Sequence, residues 1–320
     1  MPAHHLTATP PHQLAAAVLQ LLAGANLEAT ADGNDLDPLD LIEARQVYQA
    51  AGLAALQRRA EHEWYQVLVQ FGDWPGAETS PLGPHLDQLT ADGAIAGGWW
   101  YLRKYPCWRL RFRDADTTAV NKALDDLSTT GVLARWWPTI YESETDAFGG
   151  PVAMHIVHDL FIADSHGALA YARHPNPPLD RRHLSLLLIN ALLDAAGLDW
   201  FERGDVYARV RDLRPAPAGA DTPNTATLAD TIRPLLARTL RADDAARAYG
   251  EPAASIAAWL AAFDHAGQHL RRAATDGTLG RGLRTVLGQV LIFHWNRLGL
   301  SARTQGILAT AATTAILPRS

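Results

Sequence analysis

The sequence predicts an α+β fold: a small mixed or antiparallel sheet with interleaved helices, set between an N-terminal helical segment and a helical C-terminal segment. Three observations carry this. Residues 12–60 are Ala/Leu-rich with apolar positions at helical spacing. Short β-branched and aromatic runs then follow one another between turn residues. Residues 225–312 return to a helical pattern with no further strand signal. The organisation expected is therefore 1–62 as an N-terminal helical segment, 63–214 as the α+β core, and 225–320 as a helical C-terminal segment on that core. Runs of strands and helices that segregate in this way mark α+β rather than α/β proteins.

Each element has its own signal. A helix is expected from His12 to Leu22, where Gly24 breaks the run. A second runs from Pro38 to Gln57, with Asp37 as cap, Pro38 in the first turn, and Leu39, Leu41, Ile42, Val47, Leu53 and Leu56 on its apolar side. Strands are expected at Trp64–Phe71, Trp99–Arg103, Cys107–Arg113 and Trp136–Glu142. Helices are expected near 81–90, from Asp116 to Ser128, from about 152 to 162 and from His183 to Ala196; Phe201 to Val210 reads as strand or helix, with a helix starting near Asp205 favoured. Arg214 to Asn224 is rich in Pro, Ala, Gly, Asp and Thr and reads as an exposed linker. Breaks in the final helical region are expected at Gly250-Glu251-Pro252, Gly277 and Gly299.

Composition narrows the chemistry. The chain is 48% hydrophobic and 19% charged, enough to bury a large core. Its formal net charge of -6 argues against direct nucleic-acid binding. Cys107 is the one cysteine, which suits a reducing compartment. The first residues lack the basic start and apolar run of a signal peptide, and no stretch approaches the roughly 18 apolar residues of a membrane span. The expected location is the cytoplasm, with no membrane partner. Of the 28 Lys and Arg, only Lys104 and Lys122 are lysines, and neither follows a glycine as a phosphate-binding loop would need. The available cations are guanidiniums, which suit two-point carboxylate binding. No nucleophile elbow or dinucleotide-binding glycine motif is present. His155, His158 and Asp159 have the spacing of half a metal site, but so short a pattern recurs by chance, so neither metal nor cofactor is assigned.

Three places carry candidate chemistry. Arg109, Arg111 and Arg113 alternate with Trp108, Leu110 and Phe112, so the guanidiniums share one face of a strand. That face is either solvated and paired with acids such as Asp114 and Asp116, or a pocket for a di-anionic group such as glutamate. Phe148-Gly149-Gly150-Pro151 makes a sharp turn into a helix, either a plain turn or an anion site made of backbone N–H groups. Asp164-Ser165 reads as a cap or turn closing that helix. His294 and Arg297 share a helical face in an apolar run, either as a satisfied buried pair or as a site.

Taken together, these segments resemble the C-terminal glutamate-elimination domain of class I lanthipeptide dehydratases and its stand-alone relatives, the thiopeptide-type bacteriocin biosynthesis proteins. The resemblance rests on the order Leu102-Arg103-Lys104, Cys107-Trp108-Arg109-Leu110-Arg111, Tyr141 to Gly150 with its Tyr-x-x-Glu and Gly-Gly, Phe161-x-x-Asp164-Ser165, and His294-Trp295-Asn296-Arg297. It runs over about 63–300, as one elimination-type domain. It implies a cytoplasmic lyase that removes glutamate from glutamylated Ser or Thr of a precursor peptide, leaving dehydroalanine or dehydrobutyrine. It implies Arg109 and Arg111 as carboxylate or enolate holders and His294 as the proton carrier. Arg103, Tyr141, Glu144, Gly149, Gly150, Asn296 and Arg297 would contact substrate. The implied partners are a leader-bearing precursor peptide and a separate glutamyl-tRNA-dependent glutamylating protein; a homodimer is also compatible. Three positions depart from the family pattern: Cys107 stands for His, Ala147 for Arg and Phe148 for Tyr. Two other readings therefore stay open. One is a pyridine-forming four-plus-two aza-cycloaddition between dehydroalanines with leader release. The other is a non-catalytic leader-binding partner in a modification complex.

Overall fold

The computed structural model describes residues 10–62, 64–177, 179–216, 222–238 and 253–317. Two units divide at residue 63, Met1–Glu63 and Trp64–Ser320. In the first, α1 (Pro11–Leu22), α2 (Leu27–Asn34) and α3 (Pro38–His62) pack around Ala17, Val18, Ala31 and Leu41. Helix α2 was not expected. Its start is set by Asn26, whose side chain accepts the Ala29 N–H at 3.1 Å. Asp37 caps α3 as expected, accepting from the Leu39 N–H at 2.7 Å. Leu39 and Val47, placed on the apolar side by spacing, are largely exposed.

The second unit is built on a four-stranded antiparallel sheet in the order β2-β3-β1-β4. The strands are β1 (Trp64–Phe71), β2 (Trp99–Lys104), β3 (Cys107–Arg113) and β4 (Leu133–Thr139). The fourth lies three residues earlier than expected. Its pairing begins at Phe71 opposite Leu133, with an irregularity at Gln70/Phe71, and ends where the Gln66 amide donates to Thr139 Oγ1 and the Ile140 carbonyl. Tyr141 and Glu142 have by then left the sheet.

Alternation divides the sheet into two faces. Val67, Val69, Trp99, Tyr101, Trp108, Leu110 and Phe112 form one, packed with Leu82 and Leu86 of α4 (Leu82–Ala91) and Val120, Leu124 and Leu127 of α5 (Thr117–Thr129). Asp116 caps α5 through the Thr118 and Ala119 N–H groups. Trp100 and Leu102 of the opposite face join a larger, helical core. That core is made by α6 (Pro151–Arg173), α7 (Arg181–Ala195), α8 (Trp200–Leu213), α9 (Thr222–Leu236), α10 (Ala253–Thr275), α11 (Leu283–Arg297) and α12 (Ala302–Ile316). Every residue of α7 from Leu184 to Leu193 is buried, as befits a helix that is apolar all round.

Three sequence expectations need correction here. Helix α6 runs to Arg173, so Asp164 and Ser165 sit mid-helix rather than closing it. Helix α8 starts at Trp200, not near Asp205, because Asp199 and Glu202 form a reciprocal capping box. The expected linker is helical from Thr222 onward. Part of that linker, and the break at 250–252, lie outside the described residues.

Close approach of α10 to α7 depends on Gly267. A Cβ there would meet the Leu192 carbonyl oxygen at 2.4 Å and the Ala195 Cβ at 2.8 Å. Gly267→Ala should therefore lose ~1–3 kcal/mol of stability in chemical denaturation, the overpacking outweighing alanine's better helix propensity.

Candidate active site

The sheet register places the arginines in cross-strand rows. Trp100, Arg111, Gln66 and Thr139 lie across the sheet in one row, and Leu102, Arg109, Leu68 and Trp137 in the next. Arg111 is 3% exposed. Its Nε donates to Gln66 Oε1 at 2.8 Å, and its guanidinium lies 4.0 Å from the Trp100 ring and 4.8 Å from the Tyr141 ring. Its Nη1 is buried with no hydrogen-bond partner among the described residues. No carboxylate there comes within ion-pair distance of it either, and a buried cation without a counter-ion is costly. Burial, with Arg109 and Arg297 nearby, pushes its pKa down to about 10, while Tyr141 and Glu144 act in the opposite sense.

The solvated-face explanation therefore does not describe Arg111. Asp116 is engaged in capping α5. Among the described residues Arg113 alone of the three is ion-paired, to Asp159 of α6 at 3.0 Å, and it also donates to the Gly97 carbonyl at 2.9 Å. Arg109 is half-buried on the same face as Arg111.

Tyr141 closes this side of the cluster. Its hydroxyl lies 2.7 Å from Nε2 of His158 on α6. The His158 ring stacks at a tilt on Trp64, with centroids 4.5 Å apart. Burial first, then Arg113 and Arg111, depress the His158 pKa to about 3, so the ring is neutral. His158 is thus a partner of Tyr141, and among the described residues no group of three or more His, Cys, Asp or Glu could hold a metal. Glu144 is exposed at the start of the following turn. The N–H groups of Gly149 and Gly150 donate to the Asp146 and Thr145 carbonyls, so of the two readings the plain turn describes these two N–H groups. Both glycines have φ in the left-handed region, at 85° and 107°.

The C-terminal motif forms a second, deeper cluster around Asp164. One carboxylate oxygen accepts from His294 Nδ1 and Trp259 Nε1, both at 2.9 Å, and the other pairs with Arg297. Arg297 Nε also donates to the Tyr101 carbonyl at 3.1 Å, and Ser165 Oγ accepts the Tyr101 N–H at 3.1 Å. His294 is 1% exposed, walled by Phe263 and Trp259, and its Nε2 has no partner among the described residues. Trp100 links the clusters: Arg111 lies on its ring, and Arg297 lies 5.8 Å from it.

Other expected contact residues lie elsewhere. Arg103 is on the opposite sheet face, beside Trp74 and Trp108, and shares Glu78 with Arg181. Asn296 accepts from Gln305 of α12 at 2.9 Å. The structure therefore brings Arg109, Arg111 and Tyr141 together, groups His294 with Arg297 behind Trp100, and leaves Arg103 and Asn296 apart. It adds Gln66, Trp100, His158 and Asp164, which sequence reasoning did not assign. The one local signal for Asp164 was a polar pair inside an otherwise apolar helical run.

Fold and site together define a small antiparallel sheet whose arginine face is closed by a helical core. The sequence model of the lantibiotic biosynthesis dehydratase C-terminal family matches residues 64–316. The chain belongs to that family. Among solved structures it is similar to the tRNA-dependent lantibiotic dehydratase MibB from Microbispora sp. 107891. The TM-score is 0.60 at 20% identity, over 79% of this chain and 28% of that one. The chain thus spans less than a third of MibB's length. It is also similar to TsrL, with TM-score 0.55 at 16% identity, over 81% of this chain and 99% of TsrL. At these identities the likeness is one of fold. No curated protein sequence matches it. No helix among the described residues is long and apolar enough to cross a membrane.

The Asp164 cluster makes a stability prediction. Burial alone would raise the Asp164 pKa, but His294 and Arg297 overcome this and hold the carboxyl below its ordinary range. Its contribution is therefore complete above the ordinary carboxylate pKa and is lost only as pH falls through the lower folded value. Asp164→Asn should cost ~3–5 kcal/mol at neutral pH by leaving Arg297 buried and unpaired. In denaturant titrations the gap to wild type should persist to about pH 4 and narrow only below it.

Proposed function

We propose that this chain tailors a ribosomally made precursor peptide by eliminating glutamate from glutamylated Ser or Thr, giving dehydroalanine or dehydrobutyrine. The observation that carries this reading is Arg111: a buried guanidinium with an unpartnered Nη1, no carboxylate within ion-pair distance among the described residues, and Arg109 beside it. Such a site favours a ligand with negative charge, either the departing glutamate or the enolate formed on the way. Electrostatic donors aimed at developing charge are often the largest single contribution to catalysis.

In this reading His294 moves the proton. Asp164 holds Nδ1, which leaves Nε2 as the nitrogen able to accept. The ring is enclosed, so neighbouring side chains must yield for the reacting residue to reach it. The substrate is delivered with its leader, after a separate protein has transferred glutamate from glutamyl-tRNA.

A second reading is favoured by one position. Ala147 is small and half-buried where the resemblance implies an arginine. A cycloaddition between dehydroalanines, with leader release, needs no glutamate pocket and would tolerate that loss. Arg111, with no carboxylate within ion-pair distance among the described residues, weighs toward the lyase.

Mass spectrometry of a precursor peptide carrying glutamylated Ser/Thr separates these readings. Wild type should release glutamate and leave a dehydrated residue, and Arg111→Ala should slow this by roughly 10²–10³-fold. His294→Ala should slow it by roughly 10²–10⁴-fold. No glutamate loss, but leader release from a peptide already carrying dehydroalanines, would establish the cycloaddition. Binding of the leader without either reaction would make the chain a scaffold.

A further inference from the structure

The arginine cluster contains a pair that the proton carrier and the guanidiniums leave unexplained. Tyr141 and His158 come from different elements, the loop after β4 and the helix α6, yet meet at 2.7 Å. Both are buried, at 6% and 7% exposure. Both rings stand against Trp100, on which Arg111 also rests. The Tyr141 ring is 4.8 Å from the Arg111 guanidinium. Two polar side chains buried beside a cation that has no carboxylate within ion-pair distance among the described residues form a built site rather than a packing accident.

The charge around the pair decides its role. A base at His158 would have to become positive beside Arg111 and Arg113, and these, with burial, already disfavour that form. A neutral imidazole can instead donate from Nε2 to the phenol oxygen, and a hydroxyl accepts and donates at once. The surroundings favour negative charge next to Tyr141 and oppose positive charge on His158. The pair is therefore suited to stabilise an oxyanion, not to remove a proton.

We infer that Tyr141, positioned by His158, donates a hydrogen bond to the enolate oxygen of the reacting residue alongside Arg111. The proposal rests on the lyase reading above. The Cα proton passes to the base, and its bonding electron pair moves onto the adjacent peptide carbonyl oxygen. That oxygen is met by the Tyr141 hydroxyl and the Arg111 Nη1. The pair then returns to form the Cα=Cβ bond as the Cβ–O ester bond breaks, and glutamate leaves with the electrons of that bond as its carboxylate. Tyr141 keeps its proton throughout, and no oxidant or reductant takes part. Tyr141 is thus a catalytic residue, and His158 a positioning residue that acts through it.

The test is the rate of glutamate release from a synthetic peptide bearing one glutamyl-Ser ester, followed by mass spectrometry, with thermal melts confirming that each variant is folded. Tyr141→Phe should lower kcat by roughly 10²–10³-fold, with KM changed by less than about two-fold. His158→Gln, whose side-chain amide can donate to the phenol oxygen, should stay within about ten-fold of wild type, whereas His158→Leu should fall to the level of Tyr141→Phe. The double variant Tyr141→Phe/His158→Leu should be no slower than the slower single one, as expected for residues acting as a unit. Wild-type kcat in a folded Tyr141→Phe, or a double variant showing the full product of the two single effects, would overturn the pairing while leaving the lyase reading intact. A wild-type protein that releases no glutamate would instead overturn the lyase reading, and the proposal with it.

Discussion

One carboxylate ties the helical core to the sheet. Asp164 sits at the middle of α6, wholly inside the protein, and neutralises Arg297 of α11 while holding His294 of the same helix and Trp259 of α10. A buried charge is tolerable only when it is paired and its remaining hydrogen-bonding capacity is filled. Three helices meet to fill it. Arg297 and the adjacent Ser165 then satisfy the carbonyl and N–H of Tyr101 on the free edge of β2. An edge strand normally exposes these groups as a template for another chain. Here the helical core closes that edge with side chains rather than with a fifth strand.

The candidate pocket follows from this attachment. Because the core closes against the β2 edge, Trp100 is enclosed between α6 and the sheet, and Arg111 is buried on its ring. Arg297, also near Trp100, has its charge matched by Asp164, whereas Arg111 is held by the neutral Gln66. Two guanidiniums flank one indole, one neutralised by Asp164 and one with no carboxylate within ion-pair distance among the described residues. In the proposed reading, that asymmetry favours an anion beside Arg111. Tyr141 and His158 adjust it by adding a neutral donor where a second fixed cation would only repel Arg111.

Much of the fold was legible because local pattern and tertiary role agree. β1 and β3 have the predicted limits because β1 is rich in Val and aromatic residues and β3 alternates Trp, Leu and Phe with Arg. β4 was placed three residues late because Leu133-Ala134-Arg135 has no strand-like alternation; its position is set by pairing with β1. Helix α2 is short and polar, so only its Asn26 cap marked it. The site was less legible. The shared face of Arg109 and Arg111 follows from a two-residue period, but the burial of Arg111 depends on Gln66 and Trp100 in neighbouring strands. Asp164 looked like a helix end because two polar residues interrupt an apolar run. Its partners lie 95 to 133 residues away, beyond the reach of any local pattern.

The central claim is that Arg111 is the anion-binding point of this protein. A crystal structure of the protein soaked with L-glutamate tests it most directly. The account predicts a carboxylate of the soaked glutamate, its oxygen standing in for the enolate oxygen, within hydrogen-bond distance of the Arg111 guanidinium at Nη1, with Arg109 and the Tyr141 hydroxyl beside it. An Arg111 that instead proves paired to a carboxylate of the protein itself, with glutamate bound elsewhere or not at all, would contradict it.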